Sequence, residues 1–304
     1  MKPIFKSDAA KTLMLEWFER FRARLRVPTE SRMVPTRFGE THVLVGGPAD
    51  APPVVVLHGA MASSAHLLGE LAPLLERFRL HAVDVVGQSV KTPHARPSVK
   101  NNDYGVWLAD VLDGLSLASA PIIAVSWGGF AAIRLAAHAP ERIERLALLV
   151  PAGIVNGSAW QGMTKLMWPM MMWRMFPSEK RFDAFANRLL TTTDDDWKPY
   201  LHDAFSSFNM DMTVPKLATP DELARFQAPT FVLAGDGDLS FPGAKLLARA
   251  TELFPSLVAQ ELVANCRHSP PTTDVFRAWL GEKLARFLAD AHSNASRSVV
   301  TTAC

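Results

Sequence analysis

The sequence predicts an α/β fold: a mostly parallel, doubly wound sheet with an inserted helical cap. Three observations carry the prediction. Apolar runs of strand length recur at residues 54–57, 80–87, 122–125, 145–150 and 230–235. Stretches with helical spacing separate them, the order expected of a sheet whose crossover helices cover both faces. The alternation is interrupted once, between residues 151 and 228, where no strand pattern is evident.

Taken in order, residues 8–26 have helical spacing, with Leu13, Trp17, Phe18, Phe21 and Leu25 able to share a face that covers the domain. Residues 33–38 and 41–47 read as two strands of a hairpin turning at Gly39-Glu40. A continuous apolar strand at 54–57, of the kind found inside parallel sheets, runs into His58-Gly59. A helix is expected over 64–78, then the strand 80–87 and a polar, proline-containing loop to 102. A helix over 103–117, the strand 122–125, a helix over 128–138 and the strand 145–150 follow. After the interruption come a strand at 230–235, a helix at 243–253, a strand at 257–264 and a helix at 272–290. The expected organisation is therefore an N-terminal helical extension (1–32), a core (33–150 and 229–290), a helical cap (151–228) and a disordered tail (291–304).

The cap segment is rich in methionine and tryptophan: Met163, Met167, Met170, Met171, Met172, Met175 and Met210, with Trp160, Trp168, Trp173 and Trp197. Such side chains can wrap apolar ligands of varied shape, and they can equally pack the insertion against the body. Met61, Met163, Met167, Trp168 and Met171 are the expected substrate-facing positions.

Composition narrows the partners. With 32 basic and 30 acidic residues, the formal charge of +2 gives no footprint for nucleic acid and no polybasic membrane patch. No apolar run is long enough to span a bilayer, so stable membrane insertion is not expected. Two cysteines, Cys266 and Cys304, cannot build a disulfide framework. Without an N-terminal signal pattern, the expectation is a cytoplasmic protein. His42, His66, His81, His94, His138, His202 and His292 show no ligand spacing and read as structural or exposed. No metal motif or phosphate loop is present, so neither metal nor cofactor is expected. Cys266 reads as a small buried thiol. Oligomeric state leaves no trace in the sequence.

Chemistry concentrates at strand ends. Ile122-Ile123-Ala124-Val125-Ser126-Trp127-Gly128-Gly129-Phe130 is a buried strand that stops at one serine and turns at once into a helix. Strand and helix nearly touch at such a turn, so the residues two before and two after the serine must be small. Ala124 and Gly128 meet that condition. This is the nucleophile-elbow pattern with alanine for the first glycine, and the Trp127 N–H would face a developing oxyanion. A serine hydroxyl needs a base, and the base needs an acid to fix its tautomer. Downstream, Leu233-Ala234-Gly235-Asp236-Gly237-Asp238 ends one strand with two carboxylates, and the following strand ends in a loop bearing His268.

These features resemble the α/β-hydrolase superfamily, most closely its capped carboxylesterase-type branch. The resemblance covers residues 33–290 and rests on His58-Gly59, the elbow at Ser126, Ala139-Pro140-Glu141-Arg142, Gly235-Asp236-Gly237-Asp238 and His268. It implies the order Ser126, Asp238, His268 for nucleophile, acid and base, with Asp236 as the alternative acid. It also implies an oxyanion donor at the Ala60 N–H, or at Met61 beside it, and a supporting rather than catalytic His58. Two departures stand out: the loop Asp84-Val85-Val86-Gly87-Gln88-Ser89 is short by one glycine, and Arg267 replaces the glycine before the histidine. The implied activity is hydrolysis of esters of small-to-medium apolar substrates through an acyl-enzyme. The same residues could serve thioester, lactone or carbon–carbon bond hydrolysis, or peracid formation. The His-Gly pair precedes Ala60-Met61-Ala62-Ser63, not the glycine-rich run of the carbon–carbon hydrolases. Ser126 stands where dehalogenases and epoxide hydrolases have aspartate. A non-catalytic ligand-binding protein on the same fold is the reading from another class.

Overall fold

A computed structural model describes residues 3–211, 213–289 and 299–302. Among the described residues nine strands form one sheet in the order β1-β2-β4-β3-β5-β6-β7-β8-β9. They are β1 (Thr29–Thr36), β2 (Gly39–Gly46), β3 (Pro53–Leu57), β4 (Arg79–Val83), β5 (Ala120–Val125), β6 (Ile143–Leu149), β7 (Thr230–Gly235), β8 (Leu257–Val263) and β9 (Val299–Thr302). β1, β2 and β4 pair antiparallel and all other neighbours pair parallel.

Continuous apolar strands let the sheet be covered twice. Val55, Leu57, Ile122 and Ala124 face a core shared with helices α3 (Asp103–Gly114), α4 (Trp127–His138) and α10 (Gly243–Leu253). Their neighbours Val54, Val56 and Ile123 face the opposite core, shared with α1 (Asp8–Ala23), α2 (Ser64–Glu70) and α11 (Asp274–Ala289). Strand alternation divides one apolar run between two layers. Among the described residues no helix is long and apolar enough to cross a membrane.

Several boundaries differ from the sequence expectation. β1 begins at Thr29, inside the expected extension, because its ladder with β2 continues to Gly46. The helix expected over 64–78 stops at Glu70, and a 3₁₀ turn at Ala72–Leu74 carries Pro73, which has no N–H to continue the α ladder. The strand expected over 80–87 ends at Val83, because Asp84 is drawn into a buried hydrogen-bond cluster. The tail expected to be disordered lies largely outside the described residues, but Val299–Thr302 run as an edge strand parallel to β8.

Residues 159–207 cross over the C-terminal edge of the sheet. A continuous helical stretch comprises α5 (Ala159–Gln161), a π-helical segment (Gly162–Met167) and α6 (Trp168–Met175); α7 (Glu179–Ala186) and α8 (Trp197–Ser207) follow. They enclose a small core of their own around Met170, Trp173, Phe182, Phe185, Leu201 and Phe205. The flanks of the expected cap segment belong to the sheet instead: Ala152, Ile154, Ala218, Leu223 and Phe226 are buried in its main core. The N-terminus is tied to α8. Trp17 Nε1 donates to Asp203 at 2.8 Å, and the Asn209 N–H donates to the Ile4 carbonyl at 2.8 Å.

Asp84 is fully buried beyond β4. Its carboxylate accepts from His42 Nδ1 (2.7 Å), from the Ser64 N–H (3.0 Å) and hydroxyl (2.6 Å), and from the Ser89 hydroxyl (2.5 Å). Burial alone would raise its pKa; the hydrogen bonds, led by His42, outweigh burial and hold the carboxyl well below the usual range. His58 Nε2 lies 3.5 Å away but already accepts the Val85 N–H at 2.9 Å, so it adds little. A group with a depressed pKa contributes stability above its unfolded value of about 3.9, and that contribution is lost as pH falls. Asp84→Ala is therefore expected to lose about 3–5 kcal/mol at pH 7. Urea unfolding at pH 7 and pH 3 checks this: the gap between wild type and variant should narrow in acid, and an equal gap at both values would refute the assignment.

Candidate active site

Ser126 stands between β5 and α4 with φ 49° and ψ −110°, a sparsely populated conformation for a residue with a side chain. Local packing enforces it. The Ser126 N–H donates to the Leu149 carbonyl at 2.9 Å, and its own carbonyl accepts from Ala152 N–H at 2.9 Å. A Cβ on Gly128 would lie 2.5 Å from the Leu57 carbonyl oxygen, so only glycine lets α4 start this close to β3. The strand–helix turn thus pushes the Ser126 hydroxyl off the sheet edge, where it remains partly exposed.

The hydroxyl meets His268 Nε2 at 2.9 Å, and His268 Nδ1 meets Asp238 Oδ2 at 2.8 Å. Asp238 is the carboxylate in contact; its other oxygen accepts the N–H groups of Ser240 (2.7 Å) and Phe241 (3.1 Å), which fix its orientation. Asp236 is exposed and instead accepts the Cys266 N–H at 3.1 Å, tying the β7 turn to the His268 loop. Burial of the His268 ring pulls its pKa down, but the Asp238 charge and hydrogen bond outweigh this and raise it above the ordinary histidine value. Such an array can take a proton from the serine hydroxyl during attack and stabilise the imidazolium that forms.

The loop after β3 faces Ser126 closely: a Cβ on Gly59 would lie 3.3 Å from Ser126 Cβ. Ala62 N–H donates to the Gly59 carbonyl at 3.4 Å, and Met61 has φ 55°, giving a tight turn. The Tyr200 hydroxyl from α8 donates to the Met61 carbonyl. His58 supports the same loop from beneath. Its Nε2 accepts the Val85 N–H, which leaves the proton on Nδ1 to donate to the Gly59 carbonyl at 2.7 Å. Trp127 opens α4 and packs its ring near Tyr104 and Phe130, so its side chain turns toward the core. Its N–H, the first of the helix, has no partner within the helix by geometry.

A cavity of about 270 Å³ opens in front of Ser126. Leu67, Leu71, Phe276 and Leu280 line it from the body, and Leu189, Leu190, Trp197, Leu201 and Phe205 line it from the cap. Ala60 and Met61 border it. Met163, Met167, Trp168 and Met171 do not. Met163, Trp168 and Met171 are 60%, 56% and 46% exposed, and Met167 packs on the cap's own core. Composition names apolar residues but not the side of a helix that faces in; here Met170 and Trp173 take the inward positions. His66, grouped in sequence with structural or exposed histidines, is part of the cavity lining and stacks on Trp197 at 3.9 Å between ring centres.

Cap and histidine loop are joined directly. The Ser269 N–H donates to the Leu189 carbonyl at 2.8 Å, the Thr191 N–H to the Ser269 carbonyl at 3.1 Å, and the Arg267 guanidinium to the Leu190 carbonyl at 2.8 Å. Arg267, the departure noted before His268, therefore holds the cap. Leu189-Leu190-Thr191 carries no sequence signal for that contact. Cys266 is buried behind the loop. Among the described residues no cluster of His, Cys, Asp or Glu could hold a metal ion.

The geometry has counterparts among known proteins. The chain is 28% identical over 291 residues to the uncharacterized carboxylesterase nap of Bacillus subtilis (strain 168), covering 89% of this chain and 90% of that protein. It is 27% identical over 251 residues to carboxylesterase YbfK of the same organism, covering 80% and 82%. The crystal structure of naproxen esterase from Bacillus subtilis superposes with a TM-score of 0.77 at 23% identity, covering 91% of this chain and 98% of that one, a likeness of fold. The family model for the alpha/beta hydrolase fold matches residues 52–274, which is more than half of the sequence. By that match, together with its sheet order and strand-end geometry, the chain belongs to the alpha/beta hydrolase fold family.

Proposed function

We propose that this protein is a serine carboxylesterase that cleaves esters of small-to-medium apolar substrates. The observation that carries the reading is the unbroken contact from Ser126 to His268 to Asp238 at the mouth of an apolar cavity. Ser126 Oγ attacks the ester carbonyl as His268 Nε2 takes its proton. The carbonyl oxygen becomes an oxyanion held by the backbone N–H groups of Ala60 and Trp127; one such donor is worth about 2.7–4 kcal/mol in the transition state. His268 then returns the proton to the departing alkoxide, leaving an acyl-enzyme. Water, deprotonated by the same histidine, attacks the acyl carbon and frees the acid and Ser126. Asp238 holds His268 as the Nδ1–H tautomer and stabilises the imidazolium that forms. Full-length similarity to two carboxylesterases supports this assignment over a binding role.

Hydrolysis of p-nitrophenyl esters should fall at least roughly 10⁴-fold in Ser126→Ala, with the fold intact by circular dichroism. A fluorophosphonate probe should label wild type and spare the variant. Turnover that survives the substitution would rule out Ser126 as nucleophile. No labelling of folded wild type would instead favour a ligand-binding protein.

The raised pKa of His268 makes a second expectation. The base acts only when neutral, so kcat/KM should fall as pH drops through a value above the ordinary 6.5. In Asp238→Asn the ring loses the charge that raises it, and burial then dominates. NMR titration should place the His268 pKa of that variant below that of wild type, with kcat reduced by roughly 10⁴. An unchanged titration would mean that Asp238 does not act on His268.

A further inference from the structure

Two cavities of this fold meet at a shared wall. The chamber in front of Ser126 holds about 270 Å³, slightly below the range usual for drug-sized ligands. A second cavity of about 630 Å³ lies between the C-terminal end of α1, α2 and the chain entering α8, and Arg24, Glu76, Asp194 and Asp196 border it. His66, Glu70, Trp197, Thr272 and Arg277 line both cavities. These five residues form the boundary that the two cavities share.

The centre of this boundary is an ion pair. Arg277 Nε and Nη2 donate to the two oxygens of Glu70 at 3.2 and 2.9 Å, and Arg277 Nη1 lies 3.0 Å from Asp274. The pair bridges α2 and α11. On α2, His66, Leu67, Glu70 and Leu71 share one face, and on α11 Phe276, Arg277 and Leu280 do the same, so the apolar lining leads from Ser126 to the pair. The two side chains are 24% and 26% exposed, so the forked pair is mostly buried but still reaches solvent, which can screen its charges when it opens. The neighbouring His66–Trp197 stack is uncharged: burial draws the His66 pKa down to about 4. When Glu70 and Arg277 part, each can be solvated from the polar outer cavity, whereas the chamber lining holds no other carboxylate, lysine or arginine.

We infer that the Glu70–Arg277 pair is a gate on acyl-chain length, closing the Ser126 chamber behind short chains and parting to admit longer linear chains into the second cavity. The inference rests on the esterase reading for its substrate, but the gate can be measured apart from turnover. The experiment compares wild type with Glu70→Gln, which keeps the shape and removes the charge, with Arg277→Ala, and with the double variant. Hydrolysis of p-nitrophenyl esters from acetate to dodecanoate is one readout. The ratio of kcat/KM for decanoate to that for butyrate should rise about tenfold in either single variant, mainly through KM. The double variant should rise no further than the singles, since either change alone opens the pair. An unchanged ratio, or equal losses at every length, would overturn the gate and leave the pair a structural brace. Calorimetric binding of methyl ketones of four to twelve carbons is the second readout, since a ketone has the carbonyl without a leaving group. Long ketones should bind about tenfold tighter to the opened variants, and a length profile identical to wild type would overturn the gate. Ketone profiles that shift while wild type hydrolyses no ester would sustain the gate and defeat the esterase reading instead.

Discussion

Asp84 is fully buried from bulk solvent, and the donors its carboxylate requires come from β2, from the first residue of α2 and from the loop after β4. An ionised carboxylate at full burial is tolerated only when hydrogen bonds satisfy it, so these segments must converge on one point. That point lies beneath the loop facing Ser126. His58 connects the residue after Asp84, Val85, to that loop: its ring is fixed below by the Val85 N–H and above by the Gly59 carbonyl. The turn at Gly59–Ala62 is therefore braced from the body by His58 and from the cap by Tyr200. In the proposed mechanism the donor N–H groups are effective only if already in place when charge develops, and this double bracing would hold the loop that carries one of them.

Charge at the site is sparing. Asp238 is buried, its carboxyl satisfied by two N–H groups and the His268 ring, and most of the surrounding surface is aliphatic or aromatic. A dry wall strengthens the Asp238–His268 attraction and would by itself lower the histidine's proton affinity. The attraction prevails because the carboxylate lies within hydrogen-bonding distance. Elsewhere in the same chamber, His66 lacks such a contact and burial prevails. Two histidines lining one cavity thus differ in basicity for a reason visible in their nearest neighbours.

What could be read from sequence follows the range of the interactions involved. The strands, the strand–helix turn at Ser126 and the loop positions of Asp238 and His268 depend on local patterning, and the sheet gathers them as expected. Asp238 and Asp236 sit two residues apart in one turn; only folded geometry separates the one bonded to His268 from the one bonded to the Cys266 N–H. The cap was legible as helical but not in its orientation. Met163 and Met170 have similar chemistry, yet one is exposed and the other buried, because packing against Phe182 and Phe185 decides the inward face. Pairing of Leu189–Thr191 with the His268 loop uses backbone groups, which every residue carries and no sequence pattern advertises.

The attachment of the N-terminus to α8 bears on how this protein is handled at the bench. Ile4, Phe5 and Lys6 lie along the end of α8, with Phe5 against Phe208 at 4.6 Å between ring centres and Asn209 bonded to the Ile4 carbonyl. Helix α8 carries Tyr200, which braces the loop beside Ser126, and Leu201 and Phe205, which line the chamber. Ile4, Phe5 and Lys6 are thus packed against the helix that roofs the chamber, about 200 positions away in sequence but adjacent in space. Their contacts reach both α8 and the core that covers the sheet, so an alteration at this end of the chain bears on the ceiling of the chamber as well as on the body.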